Sequence, residues 1–267
     1  MAVNLGRPIA HGSRSTVYAW GNDAVAKVPV AGTPDSWIRC EADFSTAVHQ
    51  VGAPVPEFLG FEAHDGRLAS IYRRAVGALM WDAVVAEPGQ VREHAGCLVE
   101  LQTLLAALVP PVVLPSQADR IGSKIRLAAN RVDQALLAAL GEIPGPERVV
   151  LCHGDLHPGN VILTADGPMV VDWFDAARGD PVGDVARTTI LLATDSGTDH
   201  LNGAPGEVLT QLHDAYVRTA STAFGFDGDL LERWRAVVAV ARIAEGVPPD
   251  ALREVWTAWT ESRPSTR

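Results

Sequence analysis

The chain has 267 residues, 47% of them hydrophobic and 20% charged, which is typical of a globular protein with one large domain or two lobes. Its 32 acidic residues against 22 Lys and Arg give a formal net charge of −10, which argues against nucleic acid as a partner. No segment has the roughly 18 uninterrupted apolar residues of a membrane span or the pattern of a signal peptide, so we expect a cytoplasmic location without membrane association.

The N-terminal part of the chain predicts a small β sheet crossed by one helix. The segments STVYAW, AVAKVPV and RLASIYRRAV are rich in β-branched or alternating residues and are separated by turn residues. Residues 21–23, GND, predict a hairpin between the first two segments. Residues 35–51 have apolar side chains at helical spacing, with Asp35 or Ser36 as the predicted cap and Gly52 as the stop.

From about residue 90 the pattern becomes mainly helical. Residues 92–109 and 121–141 are each predicted as one helix, the first ending at a proline pair and the second at a glycine. Further elements follow: hairpin strands at 160–163 and 168–174, and helices at 183–194, 206–224, 229–244 and 249–262. These elements predict an α+β fold with a β-rich N-terminal lobe at residues 1–75 and a larger helical C-terminal lobe at residues 76–267.

The segment LCHGDLHPGN, residues 151–160, places several polar groups directly after an apolar run. Asp155 lies where a loop after a buried strand can hold a carboxylate rigidly in a cleft, and Asn160 adds an amide oxygen five residues later. Asp172 ends the apolar run of the second hairpin strand, so the hairpin can bring it back beside Asn160. Carboxylate and amide oxygens are hard ligands that suit Mg²⁺ rather than zinc, so Asn160 and Asp172 are the predicted metal ligands.

Asp155 then remains available to orient an attacking hydroxyl and to accept its proton. Phosphoryl transfer needs this division of roles, because the enzyme positions the nucleophile, neutralises the phosphates and does little covalent chemistry. Near the N-terminus, Gly12, Ser13 and Ser15 lie in a short turn between two strand-like pieces. Backbone N–H groups and hydroxyls in such a turn can cover phosphate groups.

Lys27 lies in the alternating segment AVAKV, which directs its ammonium group toward a cleft. Glu41 follows fourteen residues later inside the predicted helix and can pair with Lys27, holding it against the α and β phosphates of a nucleotide. Asp43 lies on the same helix and is the alternative partner.

Taken together, HGDLHPGN, VVDWFDAARGDPVGDVAR, AVAK and IYRRAVG resemble the aminoglycoside phosphotransferase and choline kinase-like family of small-molecule kinases. The resemblance covers nearly the whole chain in order and implies the bilobal protein-kinase-like fold. It implies ATP as the donor, with GTP left open, and Mg²⁺ as the cofactor. It also implies Asp155 as the catalytic base, Asn160 and Asp172 as metal ligands, and Lys27 with Glu41 as the phosphate clamp.

By the same resemblance, backbone groups of Tyr72, Arg73 and Arg74 contact the adenine edge, while His153 and Asp184 brace the catalytic loop. The chain also departs from relatives of this kind. The N-terminal turn has one glycine where protein kinases use three, so its phosphate contacts depend on the two serines. Arg73-Arg74 stands where many relatives carry a Glu, a change that backbone contacts should tolerate.

The acceptor pocket of this fold lies in the C-terminal lobe, which is rich in acidic residues here. We take Asp175, Asp195 and Asp199 as candidate acceptor-binding residues, because carboxylates can replace the hydration of a polycationic acceptor. Acidic side chains also serve simply to keep a surface soluble.

The leading hypothesis is an ATP-dependent O-phosphotransferase that acts on a hydroxyl of a small cationic antibiotic, of aminoglycoside or basic peptide type, and confers resistance. One alternative is a kinase for a small metabolite such as choline, an amino sugar or homoserine. Another is a nucleotide-binding pseudokinase, against which the intact catalytic and metal-binding positions argue. Either a monomer or a homodimer is compatible with the sequence.

Overall fold

The computed structural model describes residues 5–12, 14–194 and 206–261. The N-terminal lobe contains one antiparallel sheet with the strand order β1-β2-β3-β5-β4. Its strands are β1 (Pro8–His11), β2 (Ser15–Trp20), β3 (Ala24–Pro29), β4 (Phe58–His64) and β5 (Arg67–Arg73). The predicted hairpin at residues 21–23 is confirmed, since β2 and β3 pair along their whole length.

Strand β3 alternates between its two faces. Ala24, Ala26 and Val28 are buried in a small apolar cluster, whereas Lys27 points to the opposite face. A strand places successive side chains on opposite sides, so burial of the two neighbours directs Lys27 away from that cluster.

Helix α1 (Asp35–Gln50) crosses the N-terminal lobe as predicted, with Phe44 and Val48 buried. The predicted side-chain cap is wrong, because Pro34 occupies the capping position and no side chain caps the helix. Trp37 does not belong to the buried stripe. Its side chain is exposed and packs against Phe174 of the C-terminal lobe, with 5.7 Å between the ring centroids.

The C-terminal lobe is mainly helical. Its helices are α2 (Met80–Ala86), α3 (Val91–Ala107), α4 (Gln117–Ala128), α5 (Gln134–Leu140), α6 (Pro181–Thr194), α7 (Gly206–Phe224), α8 (Gly228–Ile243) and α9 (Pro249–Glu261). The single helix predicted at 121–141 is instead two helices, because the chain makes a 3₁₀ turn after Ala128 and Asp133 caps the start of α5 through the Ala135 N–H. None of the described helices is both long enough and apolar enough to cross a membrane.

Two small sheets in the C-terminal lobe position the polar loops. Strands β6 (Gly77–Leu79), β8 (Val161–Thr164) and β9 (Gly167–Val170) form one of them, and β7 (Val150–Cys152) pairs with β10 (Ala177–Gly179) in the other. The five-stranded sheet ends before β6, which pairs with β8 of the helical part. We therefore retain the division between residues 75 and 76 as a proposal.

Candidate active site

The loop after β7 is fixed by a buried carboxylate at the start of α6. Asp184 accepts hydrogen bonds from the backbone N–H of Gly154 at 2.7 Å and of His153 at 3.3 Å. Gly154 has φ of 77°, and a Cβ atom there would collide with the Asp175 backbone. The position therefore needs glycine for both its conformation and its close approach.

The His153 imidazole links this loop to the segment that carries Asp172. Its Nδ1 accepts from the Asp155 N–H at 3.2 Å, so its Nε2 carries the proton that it donates to the Val171 carbonyl at 3.1 Å. The ring is fully buried and lies edge-on to Trp173, with 4.7 Å between centroids. The structure thus gives His153 and Asp184 contacts suited to bracing the loop.

Asp155 lies in the loop with its carboxylate held by Arg187, whose Nη2 donates to Oδ1 at 2.8 Å. Burial on its own would raise the pKa of Asp155, but the charge of Arg187 outweighs it and holds the pKa well below its ordinary value. The carboxylate is therefore ionised at neutral pH and can accept a hydrogen bond from a hydroxyl group.

The side-chain amide of Asn160 is oriented by the same loop. Its Nδ2 donates to the Asp155 carbonyl at 2.8 Å and to Asp155 Oδ2 at 3.3 Å. This orientation turns Oδ1 away from those partners and leaves it as a neutral oxygen ligand, which fits the donor set that Mg²⁺ prefers. The Asn160 carbonyl also accepts from the Val171 N–H at 2.9 Å, so the backbone before Asp172 runs beside it.

Asp172 has an unusual backbone conformation for a residue with a side chain, with φ of 65° and ψ of 67°. This left-handed conformation costs on the order of 1 kcal/mol and is typical of functional sites. The carboxylate is 45% exposed and lies 3.4 Å from Lys27 Nζ. The Asp172 carboxylate is thus open to the cleft, directly after the residue whose N–H bonds to the Asn160 carbonyl.

Lys27 joins the two lobes. Its Nζ lies 2.5 Å from Glu41 Oε1 on α1 and 3.4 Å from Asp172 Oδ1. Burial alone would lower the pKa of Lys27, but the charges of Asp172 and Glu41 outweigh it and raise the pKa, so the ammonium group stays charged. Glu41 is therefore the partner of Lys27. Among the contacts of the described residues, none joins Lys27 to the alternative partner, Asp43.

The turn between β1 and β2 is short and is closed by a hydrogen bond from the Gly12 N–H to the Ser15 carbonyl at 2.8 Å. Ser15 is buried at the start of β2. Ser13 lies outside the described residues. A Cβ atom at Gly12 would lie 3.5 Å from the Ser15 carbonyl, an ordinary contact, so the turn itself does not require glycine there.

Tyr72 is buried at the end of β5, and the backbone N–H groups of the next two residues are already used. Arg73 donates from its N–H to the Glu57 carbonyl and Arg74 to the Asp23 carbonyl, both at 2.8 Å. These two N–H groups are therefore not available to a nucleotide base while those bonds persist.

A model of the phosphotransferase enzyme family matches residues 6–204, more than half of the chain. The chain belongs to this phosphotransferase family. No match was found among curated protein sequences. The expected family resemblance and the α+β bilobal fold are confirmed, and together they support a small-molecule kinase.

Solved structures share the fold of this phosphotransferase at low sequence identity. An aminoglycoside-3'-phosphotransferase of type VIII has a TM-score of 0.62 at 21% identity, covering 89% of this chain and 92% of its own. A thermostable mutant of aminoglycoside phosphotransferase APH(4)-Ia, in ternary complex with AMP-PNP and hygromycin B, has a TM-score of 0.66 at 17% identity, covering 97% and 94%. A choline/ethanolamine kinase family protein from Mesorhizobium loti has a TM-score of 0.52 at 17% identity, covering 97% and 86%.

The candidate acceptor residues of the phosphotransferase fall into two groups. Asp195 and Asp199 lie outside the described residues. Asp175 is buried, and its Oδ1 lies 2.7 Å from Lys124 Nζ and 3.3 Å from Arg120 Nη1, both on α4. A cationic acceptor would therefore have to compete with two cations of this chain for that carboxylate.

The sequence analysis did not identify the cations beside the loop that carries Asp155. Arg187 connects Asp155 to Glu245, which follows the end of α8, and Glu245 in turn pairs with Lys124. One signal was available in the sequence. Arg187 lies three residues after the loop-bracing Asp184 on a helix, so both side chains face the same side.

Proposed function

We propose that the protein is an ATP- and Mg²⁺-dependent O-phosphotransferase that moves the γ-phosphoryl group to a hydroxyl of a small molecule. The observation that carries this proposal is the position of the Lys27 ammonium group, 2.5 Å from Glu41 and 3.4 Å from Asp172. A lysine fixed by a helix glutamate next to a metal-binding aspartate is the arrangement that phosphoryl transfer requires at the donor phosphates.

In this proposal Asp155 acts on the acceptor. Its ionised carboxylate accepts a hydrogen bond from the attacking hydroxyl, orients the oxygen toward the γ-phosphorus and takes up the proton as the bond forms. Since the transition state is largely dissociative in most analyses, positioning the oxygen contributes more than strong basicity. The low pKa of Asp155 is compatible with that role.

The donor side uses residues of both lobes. Lys27 binds the α and β phosphates, and the backbone and hydroxyl groups of the Gly12–Ser15 turn cover them. Asn160 Oδ1 and the Asp172 carboxylate would hold Mg²⁺, which would neutralise charge on the phosphates. Either ATP or GTP is compatible with these contacts, because they involve the phosphates rather than the base.

For the acceptor we propose a cationic antibiotic of aminoglycoside or basic peptide type, which would make the protein a cytoplasmic resistance enzyme. The formal net charge of −10 supports this choice, because it favours the approach of a polycation. One structure of similar fold, the APH(4)-Ia mutant, is a complex with hygromycin B.

A small-metabolite kinase remains a second candidate, favoured by a specific observation. The Asp175 and Glu245 side chains are each only 11% exposed, and each is paired with cations of the chain itself. A metabolite such as choline, an amino sugar or homoserine carries fewer positive charges than an aminoglycoside and needs fewer carboxylates.

An ADP-release screen tests the proposal and separates its two acceptor classes. The panel contains aminoglycosides, tuberactinomycin-type peptides, macrolides, choline, ethanolamine, amino sugars and homoserine, each with ATP or GTP and Mg²⁺. We expect release with at least one cationic antibiotic. Activity on the simple amino alcohols alone would overturn the resistance assignment, and no release above the background with any member would overturn the phosphotransferase assignment for these acceptors.

A further inference from the structure

A buried arginine holds the side chain of Asp155. Arg187 on α6 donates from Nη2 to Asp155 Oδ1 at 2.8 Å and from Nη1 to Glu245 Oε2 at 2.7 Å. Only 10% of the Arg187 side chain is exposed. One planar guanidinium therefore connects the catalytic loop to the end of α8 through two charge-assisted hydrogen bonds.

The connection continues beyond Glu245 as a chain of alternating charges. Glu245 Oε1 lies 2.7 Å from Lys124 Nζ, and the same Nζ lies 2.7 Å from Asp175 Oδ1. The Glu245 and Asp175 side chains are only 11% exposed. Charges buried at this depth are stable only when they are paired, and each member limits the positions open to its neighbours.

The two oxygens of Asp155 have different surroundings. Oδ1 accepts from Arg187, whereas Oδ2 lies 3.3 Å from Asn160 Nδ2, a longer contact. The carboxylate cannot rotate without breaking the shorter bond to Arg187. Rotation about the side-chain bonds of Asp155 is thereby restricted, and Oδ2 keeps one orientation relative to the loop.

Three residues on one side of α6 contact the catalytic loop. Asp184 accepts from the loop backbone, the Thr188 hydroxyl donates to the Leu156 carbonyl at 2.8 Å, and Arg187 lies between them in sequence. Asp184 and Thr188 thus fix the backbone of the loop. Arg187 is the member of this group that contacts the side chain of Asp155.

We propose that Arg187 is a positioning residue, anchored by Glu245, that holds Asp155 Oδ1 and thereby aims Oδ2 at the acceptor hydroxyl. This inference rests on the proposed function, because it assigns Asp155 to the acceptor. In the proposed role Arg187 acts through Asp155 and not by contact with the acceptor or the nucleotide. A misplacement of about 1 Å in a reacting group can cost on the order of 100-fold in rate.

The test compares kcat and KM for R187M, R187K and the wild type, using the best acceptor from the ADP-release screen. We expect R187M to lower kcat on the order of 100-fold, while KM for ATP stays within about twofold, because the nucleotide contacts are untouched. R187K should recover part of kcat, since an ammonium group can reach one of the two carboxylates but lacks the planar fork.

Arg235 on α8 provides a matched control, because it is also largely buried and pairs with Glu232 at 2.7 Å. R235M should retain the kcat of the wild type. An R235M loss as large as that of R187M would overturn the specific role and indicate a general cost of removing a buried arginine. If R187M fails to fold, R187K carries the test, and a wild-type kcat in R187K would overturn the proposal.

A double-mutant cycle tests the anchoring by Glu245. We expect E245Q to lower kcat less than R187M does, and to have no further effect on kcat in the R187M background, because its influence passes through Arg187. If the two substitutions lower kcat by independent factors that multiply in the double mutant, the proposed anchoring of Arg187 by Glu245 is overturned.

D155N separates failure of this inference from failure of the proposed function. If D155N keeps near wild-type turnover, the proposed role of Asp155 is wrong and the inference falls with it. If D155N is inactive while folded R187M keeps near wild-type kcat, the proposed function stands and the positioning role of Arg187 is overturned.

Discussion

Each lobe contains an arginine that bridges two carboxylates, and the two bridges differ in their surroundings. Arg73 in the N-terminal lobe contacts Glu57 at 3.1 Å and Asp23 at 2.7 Å, with half of its side chain exposed. Arg187 in the C-terminal lobe contacts Asp155 and Glu245 with only 10% exposed. Both arginines contact two carboxylates, and the two sites differ in burial and in the further pair that Glu245 forms with Lys124.

Water screens the bridge at Arg73, and the two long side chains lose conformational freedom in forming it, so such contacts contribute little. Burial makes the bridge at Arg187 costly to break, because removal of one partner leaves the others charged and without compensation. The contribution of such an ion-pair pattern to the free energy of unfolding therefore depends on its burial. In our proposal the buried bridge restrains a reacting group, Asp155, whereas the exposed bridge at the end of β5 has no such role.

The largest effect is expected from D155N at the buried bridge. This substitution keeps the shape of the side chain but removes its charge. We expect phosphoryl transfer to fall by roughly 10³- to 10⁴-fold, because an amide neither accepts the proton nor orients the hydroxyl as a carboxylate does. ATP binding should be nearly unchanged. The checks are ADP release and a calorimetric titration with the nucleotide, and near-full turnover would remove Asp155 from its role.

The next largest effect is expected on the stability of the fold, at Glu245, the second carboxylate that Arg187 contacts. Burial alone would raise the pKa of Glu245, but Arg187, Lys124 and Arg242 outweigh it and lower the pKa from 4.5 to about 2. The carboxylate therefore stabilises the fold fully above pH 4.5, and this contribution is lost as the pH falls toward 2.

E245Q should accordingly reduce the free energy of unfolding by about 3 kcal/mol at pH 7, with a difference from the wild type that shrinks on acidification. Denaturant titrations of both proteins at several pH values measure this difference. A constant difference between pH 7 and pH 3 would show that the charge of Glu245 does not stabilise the fold.

A smaller effect is expected at the junction between the two lobes. D172N should weaken Mg²⁺-dependent nucleotide binding by roughly 10- to 100-fold, because an amide is a poorer ligand for a hard cation than a carboxylate. Nucleotide titrations with and without Mg²⁺ provide the measurement. Unchanged metal dependence would contradict the assignment of Asp172 as a ligand.

The smallest effect is expected at the exposed bridge. R73M should leave the melting temperature unchanged, since solvent already screens the contacts with Glu57 and Asp23. Differential scanning fluorimetry of R73M beside E245Q completes the comparison. A loss of stability in R73M as large as that in E245Q would show that burial is not what distinguishes the two bridges.

Local pattern was sufficient to predict much of the fold. The hairpin at residues 21–23 and helix α1 follow from turn residues and apolar spacing within short windows. The four late helices also begin and end close to the predicted bounds. Strands β4, β6 and β10 were missed, because their stability depends on pairing with neighbouring strands and their own sequences do not alternate clearly.

In the candidate site, too, contacts between elements close in sequence could be predicted and contacts between distant elements could not. Lys27 and Glu41 are fourteen residues apart on adjacent elements, so their pairing could be proposed from the sequence. The contacts between Lys124 and Glu245 span 121 residues, and several cations and carboxylates could have paired instead. The long-range charge chain depends on how α4, α6 and α8 pack, which single-sequence patterns do not specify.

The most direct test of the account follows the phosphoryl group itself. Phosphorus NMR of the protein with ATP, Mg²⁺ and an acceptor from the panel distinguishes a phosphate monoester from free phosphate. We expect a monoester on an acceptor hydroxyl with the wild type and none with D155N over the same period. Equal formation of the monoester by both proteins, or ATP consumption that yields only free phosphate with every acceptor, would contradict it.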